Sequence, residues 1–306
     1  MTRALRAATR RSTLARTQTH HVAALLGVDI DFVLVETTAD RRPEIPLWEL
    51  GGQGAFVTEV QAAVLEDRAD IAVHSAKDLR STPTEGLVIA AVPEREDPRD
   101  ALVGSTLDAL PVGGRVGTGS VRRRAQLSWL RPDLTFGGLR GNIETRLQAA
   151  GRFDAIVVAY AALRRLGRTA AVSEVLDPSV MLPQVAQGAL AVECRVGDER
   201  VRARLAPIEH RPTRLAVDAE RAFLAELGGG CDRPVGAFAT VDDEGRVHLD
   251  ALVASGDGRI LLRDHADGDD PGVLGRDLGR ALLQRAGAAQ ILDDAAPTVA
   301  AFPRDE

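Results

Sequence analysis

The sequence predicts a three-domain α/β protein, in which two α/β units precede a small α+β domain. Its 306 residues exceed the roughly 100 to 200 residues of a single domain. Strand-like and helix-like segments alternate through the first two units, which indicates parallel sheets, and short strands dominate from Val235 onward. We expect the first domain to span residues 1–98 plus about 187–211, the second residues 99–186 and the third residues 212–306.

The first two units contain alternating elements of similar order. The first is predicted to hold a strand at residues 5–8, a helix at 14–26, a strand at 30–36, a helix at 56–65 and a strand at 71–74. The second is predicted to hold a strand at residues 115–117, a helix at 121–130, a strand at 134–137, a helix at 142–150 and a strand at 154–159. Residues 75–80 therefore form a loop at a strand end, where open parallel sheets usually bind ligands.

The remaining segments complete the architecture. The apolar run at residues 186–195 could return the chain to the first unit, and residues 212–227 are predicted to form a long helix. In the third domain, strands at residues 247–253 and 259–265 flank the sequence Ser-Gly-Asp-Gly, which is a hairpin signal. An amphipathic helix is predicted over about residues 273–286.

The composition is that of an ordinary globular protein. Apolar residues make up 45% and charged residues 27%, which excludes a disordered chain, a collagen and a coiled coil. The net charge of −6 argues against a general nucleic-acid binder, and no apolar run is long enough for a membrane span. Two cysteines and an N-terminus without an uninterrupted apolar segment favour a reducing compartment. We expect a cytoplasmic monomer that binds neither nucleic acid nor membranes.

One basic residue differs from all the others. Thirty-seven of the 38 basic residues are arginine, and the single lysine is Lys77, next to Asp78 at the predicted strand end. Drift towards arginine could have spared one lysine by chance, or this position could require a compact ammonium that a guanidinium cannot replace. A carboxylate in a cationic pocket can stabilise a developing cation or move a proton. The alternative for Lys77 and Asp78 is a surface ion pair or a helix cap.

Positive charge is concentrated in the second unit. Residues 115–152 contain eight arginines and two acidic residues within an acidic protein. Arg122 and Arg123 fall in the first turn of a predicted helix, after Thr118 and Ser120. Guanidinium groups, hydroxyls and free backbone N–H groups could therefore converge on one anion. A solvated basic face is the alternative, although the helix dipole disfavours arginine in a first turn.

The same pattern occurs at two other predicted helix starts. Arg140 and Arg146 flank the start of the next helix of the second unit, and Arg10 and Ser12 occupy the first strand-to-helix turn of the chain. Two adjacent helix N-termini that carry arginine suit several carboxylates or phosphates better than a single ion.

The two cysteines have different surroundings. Cys231 follows three glycines, which permit close approach of another group, so its thiol is a candidate nucleophile or attachment point. Cys194 lies in an apolar run and is expected to be a small core residue. The six histidines lack the paired spacing typical of metal ligands, and we expect no metal site.

Seven short motifs run through the chain. They read ATRRS at residues 8–12, GGQGAF at 51–56, DIAVHSAKD at 70–78, REDPRDA at 95–101, GTGSVRR at 117–123, LRGN at 139–142 and GGC at 229–231. In this order they resemble the porphobilinogen deaminase family, and the resemblance covers nearly the whole chain. Each motif alone is a modest signal, but seven in one order make the resemblance specific.

The resemblance implies a transferase that joins four porphobilinogen molecules head to tail into hydroxymethylbilane and releases ammonia, a step of haem biosynthesis. It also implies a dipyrromethane cofactor held by a thioether at Cys231, with Asp78 as the catalytic carboxylate. Positions that match binders of cofactor and substrate carboxylates are Arg10, Ser12, Ser75, Lys77, Thr118, Ser120, Arg122, Arg123, Arg140, Arg146, Arg165 and Gln187. Gln53 and Phe56 match a flexible loop. The family fold has two α/β domains that resemble periplasmic binding proteins.

Four positions depart from the family's pattern. Gln53 stands where lysine is frequent and Thr13 where proline is frequent, whereas Asp232 and Arg233 stand where uncharged residues are usual. We expect these changes to alter loop mobility and the surroundings of the cofactor, and with them the rate and the control of chain length, rather than the reaction.

Two other functions are compatible with the residues. A non-catalytic two-domain protein that binds polycarboxylates would need neither Cys231 nor Asp78. A cysteine acyl-transfer enzyme would need a histidine within hydrogen-bond reach of the thiol, and none is close to Cys231 in the sequence.

Overall fold

The computed structural model describes residues 3–41, 54, 56–229, 233–285, 289 and 291–292. The strands of these residues are β1 (Leu5–Arg10), β2 (Ile30–Val35), β3 (Ile71–Ser75), β4 (Leu87–Ala91), β5 (Asp100–Val103), β6 (Arg115–Gly117), β7 (Thr135–Gly137), β8 (Ala155–Ala159), β9 (Glu174–Leu176), β10 (Leu190–Arg195), β11 (Val235–Val241), β12 (Val247–Ala254) and β13 (Leu261–Gly268). They form three separate sheets.

The helices are α1 (Thr13–Leu26), α2 (Thr38–Arg41), α3 (Thr58–Leu65), α4 (Val121–Leu130), α5 (Ile143–Gln148), α6 (Tyr160–Arg165), α7 (Glu199–Leu205), α8 (Arg211–Glu226) and α9 (Pro271–Gln284). Side-chain caps determine where several of them begin, because a hydroxyl or amide oxygen accepts an otherwise unpaired N–H of the first turn. Ser12 caps α1 in this way, Ser120 caps α4 and Asn142 caps α5. Not one of these described helices is long and apolar enough to cross a membrane.

The first two sheets have the same strand order. One runs β2-β1-β3-β10-β4 and the other β7-β6-β8-β5-β9. In each sheet, the first three strands are parallel, and the next one enters from the other unit and runs antiparallel to its neighbours. All residues of β8 are buried and apolar, as expected of a central strand covered on both faces. The chain therefore crosses twice between the two units.

The third sheet is antiparallel in the order β11-β12-β13 and packs against α8 and α9. α9 buries Leu274, Leu278 and Leu282 at helical spacing, so one face of the helix contacts the core. One apolar cluster extends from this domain into the first, since Phe223 of α8 belongs to the same cluster as Ala76.

The predicted fold class is confirmed: two α/β domains of the two-lobed type precede a small α+β domain. β10 joins the first sheet, so the chain does return to the first unit as expected. Cys194 is buried in β10, which confirms its predicted core position. The short strands β5 and β9, which complete the second sheet, were not predicted from the sequence.

Candidate functional site

A small cavity lies where the three domains meet. It is lined by Lys77 and Asp78 of the 3-10 turn after β3, by Ser120 and Arg122 at the start of α4, and by Arg233 just before β11. About 30 Å³ of it is accessible to the centres of water-sized molecules, and the cavity is partly open to solvent.

The two arginines at the start of α4 converge on an anion that belongs to the protein. Arg122 and Arg123 are buried, and their Nη2 atoms donate to the carboxylate of Asp100 at 2.7 and 2.8 Å. Burial acts to raise the pKa of Asp100, but the two guanidinium charges outweigh it and hold that pKa far below its usual range. The sequence predicted that these arginines meet one anion, and in the structure Asp100 occupies that position. Their role as ligands of substrate carboxylates stays a prediction.

Arg122 has more unused hydrogen-bonding capacity than Arg123. The Nε of Arg122 is buried and has no partner among the described residues. By contrast, Nε and Nη2 of Arg123 both donate to Asp100, and its Nη1 donates to the carbonyl oxygen of Val157 at 2.9 Å. Burial lowers the pKa of Arg122, whereas the charge of Asp100 opposes this shift. Arg122 lines the cavity and retains an unpaired donor among the described residues, and such a guanidinium suits an anionic ligand group.

Lys77 is half-buried beside the same cluster. Its Nζ donates to Oε1 of Gln187 at 3.3 Å, and Nε2 of Gln187 donates to Asp100 at 2.8 Å. Burial and the charge of Arg123 lower the pKa of Lys77 from 10.5 to about 8, although the charge of Asp78 acts in the opposite direction. The side chain is therefore an ammonium at pH 7 and loses its proton just above that pH.

Arg140, which precedes α5, and Arg146, in the last turn of α5, extend this cationic region. Arg146 donates from Nε to the carbonyl oxygen of Gly141 at 2.9 Å. Burial and the charge of Arg123 lower the pKa of Arg146 to about 10, whereas Asp78 raises it and Arg140 lowers it further. These mutual effects mean that the arginines of α4 and α5 lie close enough to act on one group of ligand charges.

Arg10 is held by partners within the first domain. It donates through Nε and Nη2 to the carboxylate of Asp40 and lies over the ring of Phe56, 4.4 Å from the ring centroid. Burial acts to raise the pKa of Asp40, but the bonds from Arg10 dominate and lower it. A ligand carboxylate would have to compete with Asp40 for this guanidinium.

Other predicted binders have local partners as well. Arg165 donates to the carbonyl oxygen of Gly188 at 2.7 Å, and burial lowers the pKa of Arg165 to about 10. Ser75 accepts a hydrogen bond from Nε2 of Gln18 at 2.7 Å. Thr118 is fully buried, and its hydroxyl accepts the N–H of Ser120 at 3.2 Å.

The structure thus brings four of the predicted residues to one cavity: Lys77, Asp78, Ser120 and Arg122. The sequence does not single out Asp100, although this residue lies in the motif at residues 95–101. That motif contains three acidic residues, and nothing in their spacing indicates which one is buried. The predictions for Cys231, Gln53 and Asp232 concern positions outside the described residues.

Comparison with known proteins gives matches along the whole chain. The family models "Porphobilinogen deaminase, dipyromethane cofactor binding domain" and "Porphobilinogen deaminase, C-terminal domain" match residues 5–203 and 214–284. The porphobilinogen deaminase of Brevibacillus brevis is 45% identical over 294 residues, which cover 93% of this chain and 95% of the relative. That of Acidothermus cellulolyticus is 47% identical over an alignment of 315 positions, which covers 98% of this chain and 94% of the relative.

Solved structures give a much weaker match. The ligand-binding component of an ABC-type import system from Staphylococcus aureus covers 72% of this chain and 77% of its own, with a TM-score of 0.39 and 10% sequence identity. That overlap is too small to bear on function. The family domains and the relatives at 45% and 47% identity show that this chain belongs to the porphobilinogen deaminase family.

Proposed function

We propose that Asp78 is the catalytic carboxylate of this chain and that Cys231 carries its cofactor. As a member of the porphobilinogen deaminase family, the protein is a transferase that joins four porphobilinogen molecules head to tail into hydroxymethylbilane and releases ammonia. The observation that carries the proposal for Asp78 is the cavity it shares with Lys77, Arg122 and Arg233, one cation from each domain. A non-catalytic binder of polycarboxylates, the alternative function, is not supported by the relatives.

The reaction moves positive charge onto the substrate ring, where a fixed carboxylate can stabilise it. When the C–N bond of the protonated aminomethyl group breaks, its electron pair leaves on ammonia and the substrate becomes a methylene-pyrrolenine cation. The charge moves from the leaving nitrogen onto the ring during this step. A carboxylate held beside the ring, as we propose for Asp78, therefore stabilises the transition state more than the bound substrate.

The substrate also brings two carboxylates, which need cationic donors. Arg122 has an unpaired buried Nε among the described residues, and Lys77 is an ammonium at pH 7. Charge-assisted hydrogen bonds from such groups are the strong ones, and guanidinium binds carboxylates in a fixed geometry. Cation stabilisation by Asp78 and anion binding by its neighbours would thus take place in one cavity.

The dipyrromethane cofactor of the family fits the same donor set. Its acetate and propionate groups match the guanidinium of Arg122, the ammonium of Lys77 and the hydroxyl of Ser120, three residues that line the cavity. We expect these three residues to hold its carboxylates and Cys231 to hold it covalently. When bound, the cofactor supplies the pyrrole end to which the first porphobilinogen is joined.

We also propose the domain limits, the cellular location and the oligomeric state of the protein. The limits are residues 1–98 with about 187–211, residues 99–186 and residues 212–306, supported by the strands that each sheet contains. A cytoplasmic protein that acts as a monomer without nucleic acid is consistent with its two cysteines and its net charge of −6. Sedimentation of the purified protein would test the proposed monomeric state.

Replacement of Asp78 by asparagine tests the catalytic assignment. Asp78→Asn removes the charge and keeps the shape, so turnover should fall by at least about 10²-fold, the typical contribution of one positioned acid or base. Asp243→Asn, in an exposed turn of the third domain, is the matched control and should keep normal turnover. The comparison uses only protein whose intact mass shows bound cofactor. Near-normal turnover of such Asp78→Asn protein would reject the assignment.

Intact mass tests the attachment residue. Protein made in cells that synthesise porphobilinogen should be heavier than its sequence by two linked pyrrole units, because the cofactor is covalent. Cys231→Ala should lack this extra mass and be inactive, whereas Cys194→Ala, at the buried cysteine of β10, should retain it. A fully active protein of unmodified mass would contradict the proposal.

A further inference from the structure

Asp100 is the common partner of several charged groups near the cavity. It is the first residue of β5 and is fully buried. Its carboxylate accepts hydrogen bonds from Arg122 at 2.7 Å, from Arg123 at 2.8 Å and from Nε2 of Gln187 at 2.8 Å. Because two arginines share one carboxylate, this buried group retains an excess positive charge.

Gln187 extends the network to the lysine. Its Nε2 donates both to Asp100 and to the carbonyl oxygen of Pro98, each at 2.8 Å, which fixes the orientation of the amide. Its Oε1 is then directed to Lys77, whose Nζ donates to it at 3.3 Å. Hydrogen bonds through Gln187 thereby connect one carboxylate on β5 to the only lysine of the chain.

We propose that Asp100 is a positioning residue, which fixes Arg122 and Arg123 directly and Lys77 through Gln187 for the binding of anionic groups. Here two guanidinium groups and an ammonium surround one buried acid, and Arg122 keeps an unpaired donor among the described residues. The inference rests on the proposed function, because it assumes that Lys77 and Arg122 meet the ligand.

The charges around Lys77 give this network a measurable signature. After burial, the pKa of Lys77 is lowered by Arg123, raised by Asp78 and Asp100, and lowered by Arg146. Removal of the charge of Asp100 should therefore lower the pKa of Lys77 further below about 8. General loosening of the structure would instead expose the ammonium and return its pKa towards 10.5. The two explanations predict shifts of opposite sign.

The single lysine allows this pKa to be measured without turnover. A water-soluble acylating ester reacts with the neutral amine, and peptide masses separate Lys77 from the N-terminal amine. In Asp100→Asn, the midpoint of the labelling rate against pH should fall by at least about half a unit. Arg123→Gln should raise the midpoint by a similar amount. Glu193→Gln, which removes another buried carboxylate that bonds to Gln61, is the matched control and should leave the midpoint unchanged.

Asp100→Asn could fail to fold, because it leaves two buried cations without their acid. The double variant Asp100→Asn with Arg123→Gln removes one negative and one positive charge together. The pH midpoint of Lys77 labelling should therefore stay within about half a unit of that of the parent protein. A midpoint near 10.5 in either Asp100 variant, or no shift in folded Asp100→Asn, would overturn the proposal. Labelling requires no turnover, and Asp78 is unchanged in every variant, so a wrong catalytic assignment would not disturb this test.

Discussion

Arg122 and Arg146 are bound very differently by the protein, and this difference should separate their roles. Arg122 is buried, is paired with Asp100 and lines the cavity between the domains. Arg146 is half-buried, and its described hydrogen bond goes to the backbone of Gly141. We therefore expect Arg122 to belong to the preformed part of the site, and Arg146 to contact pyrroles that are added later.

Leucine variants test this division of roles. Arg122→Leu should yield protein without cofactor, because one ligand carboxylate loses charge-assisted bonds worth roughly 1.5 to 3 kcal/mol each. Arg123→Leu should also yield protein without cofactor, because Arg123 bonds to Asp100, the residue that holds Arg122. Arg146→Leu should keep the cofactor and stall with one or more added pyrroles, as mass spectra after stoichiometric porphobilinogen would show. If all three variants carry the cofactor and stall at one chain length, the arginines act only as a diffuse positive field.

Sequence reasoning reached the residues of this site but not their partners. The single lysine, its acidic neighbour Asp78 and the arginines after Ser120 were singled out by residue type and local position, which the sequence contains directly. Asp100 was not predicted, and Gln187 was predicted only from the family resemblance, because their roles depend on contacts between units. Asp100 lies 22 residues before Arg122 and 87 before Gln187, and only the packed sheets bring them together.

At the scale of elements, periodicity predicted most long segments with boundaries close to those observed. The predicted helices at residues 121–130 and 212–227 correspond to Val121–Leu130 and Arg211–Glu226. The short strands β5 and β9 were not predicted, because three or four residues are too few to show a period. β11, the first strand of the third domain, lacks a regular alternation of polar and apolar residues because most of its residues are buried.

The packing of α9 on α8 depends on the absence of a side chain at Gly275. A Cβ there would overlap the carbonyl oxygen of Ala219 and crowd the N–H of Phe223. Gly275→Ala should therefore destabilise the third domain by about 1 to 3 kcal/mol, the usual cost of overpacking. Differential scanning calorimetry measures the change as a lower melting temperature.

Gly272 in the same helix provides the control. A Cβ at this position would lie 3.3 Å from the end of the flexible side chain of Arg276 and 3.3 Å from the capping Oδ1 of Asp270, without overlap. Gly272→Ala should therefore leave the melting temperature unchanged or raise it slightly, because alanine lowers the entropy of the unfolded chain. Equal melting temperatures for the Gly272 and Gly275 variants would show that α8 and α9 accommodate a Cβ at Gly275 without loss of stability, which would contradict the prediction.

At the scale of the whole molecule, one buried carboxylate links the first domain, a crossover and the third domain. Glu220 of α8 is fully buried and pairs with Arg95, the residue that opens the 95–101 motif, at 2.6 Å. It also accepts the N–H of Ala186 at 2.6 Å and of Ala239 in β11 at 2.8 Å. Ala186 has a φ of 59°, a conformation that non-glycine residues rarely adopt, so this bond helps to hold a strained crossover.

Sequence reasoning could not identify this link. An acid on an amphipathic helix usually faces solvent, and the neighbours Asp218 and Arg221 give Glu220 the same polar context. Its burial follows from the packing of α8 between the first domain and β11, which no local pattern encodes. The same limit applies to Asp100. The helices and strands of this protein can therefore be predicted from local patterns, whereas the buried charged residues between its domains cannot.

Removal of the charge of Glu220 should destabilise the whole assembly. Glu220→Gln leaves the guanidinium of Arg95 buried without its acid, and breaking a buried pair in this way typically costs about 3 to 5 kcal/mol. Glu199→Gln, which breaks an exposed ion pair with Arg202 on α7, should cost at most about 1 kcal/mol. Urea unfolding followed by circular dichroism compares the two midpoints. Equal midpoints would mean that Glu220 fills space without joining the domains, whereas a large shift for Glu220→Gln alone makes it the electrostatic link that holds α8 on the first domain.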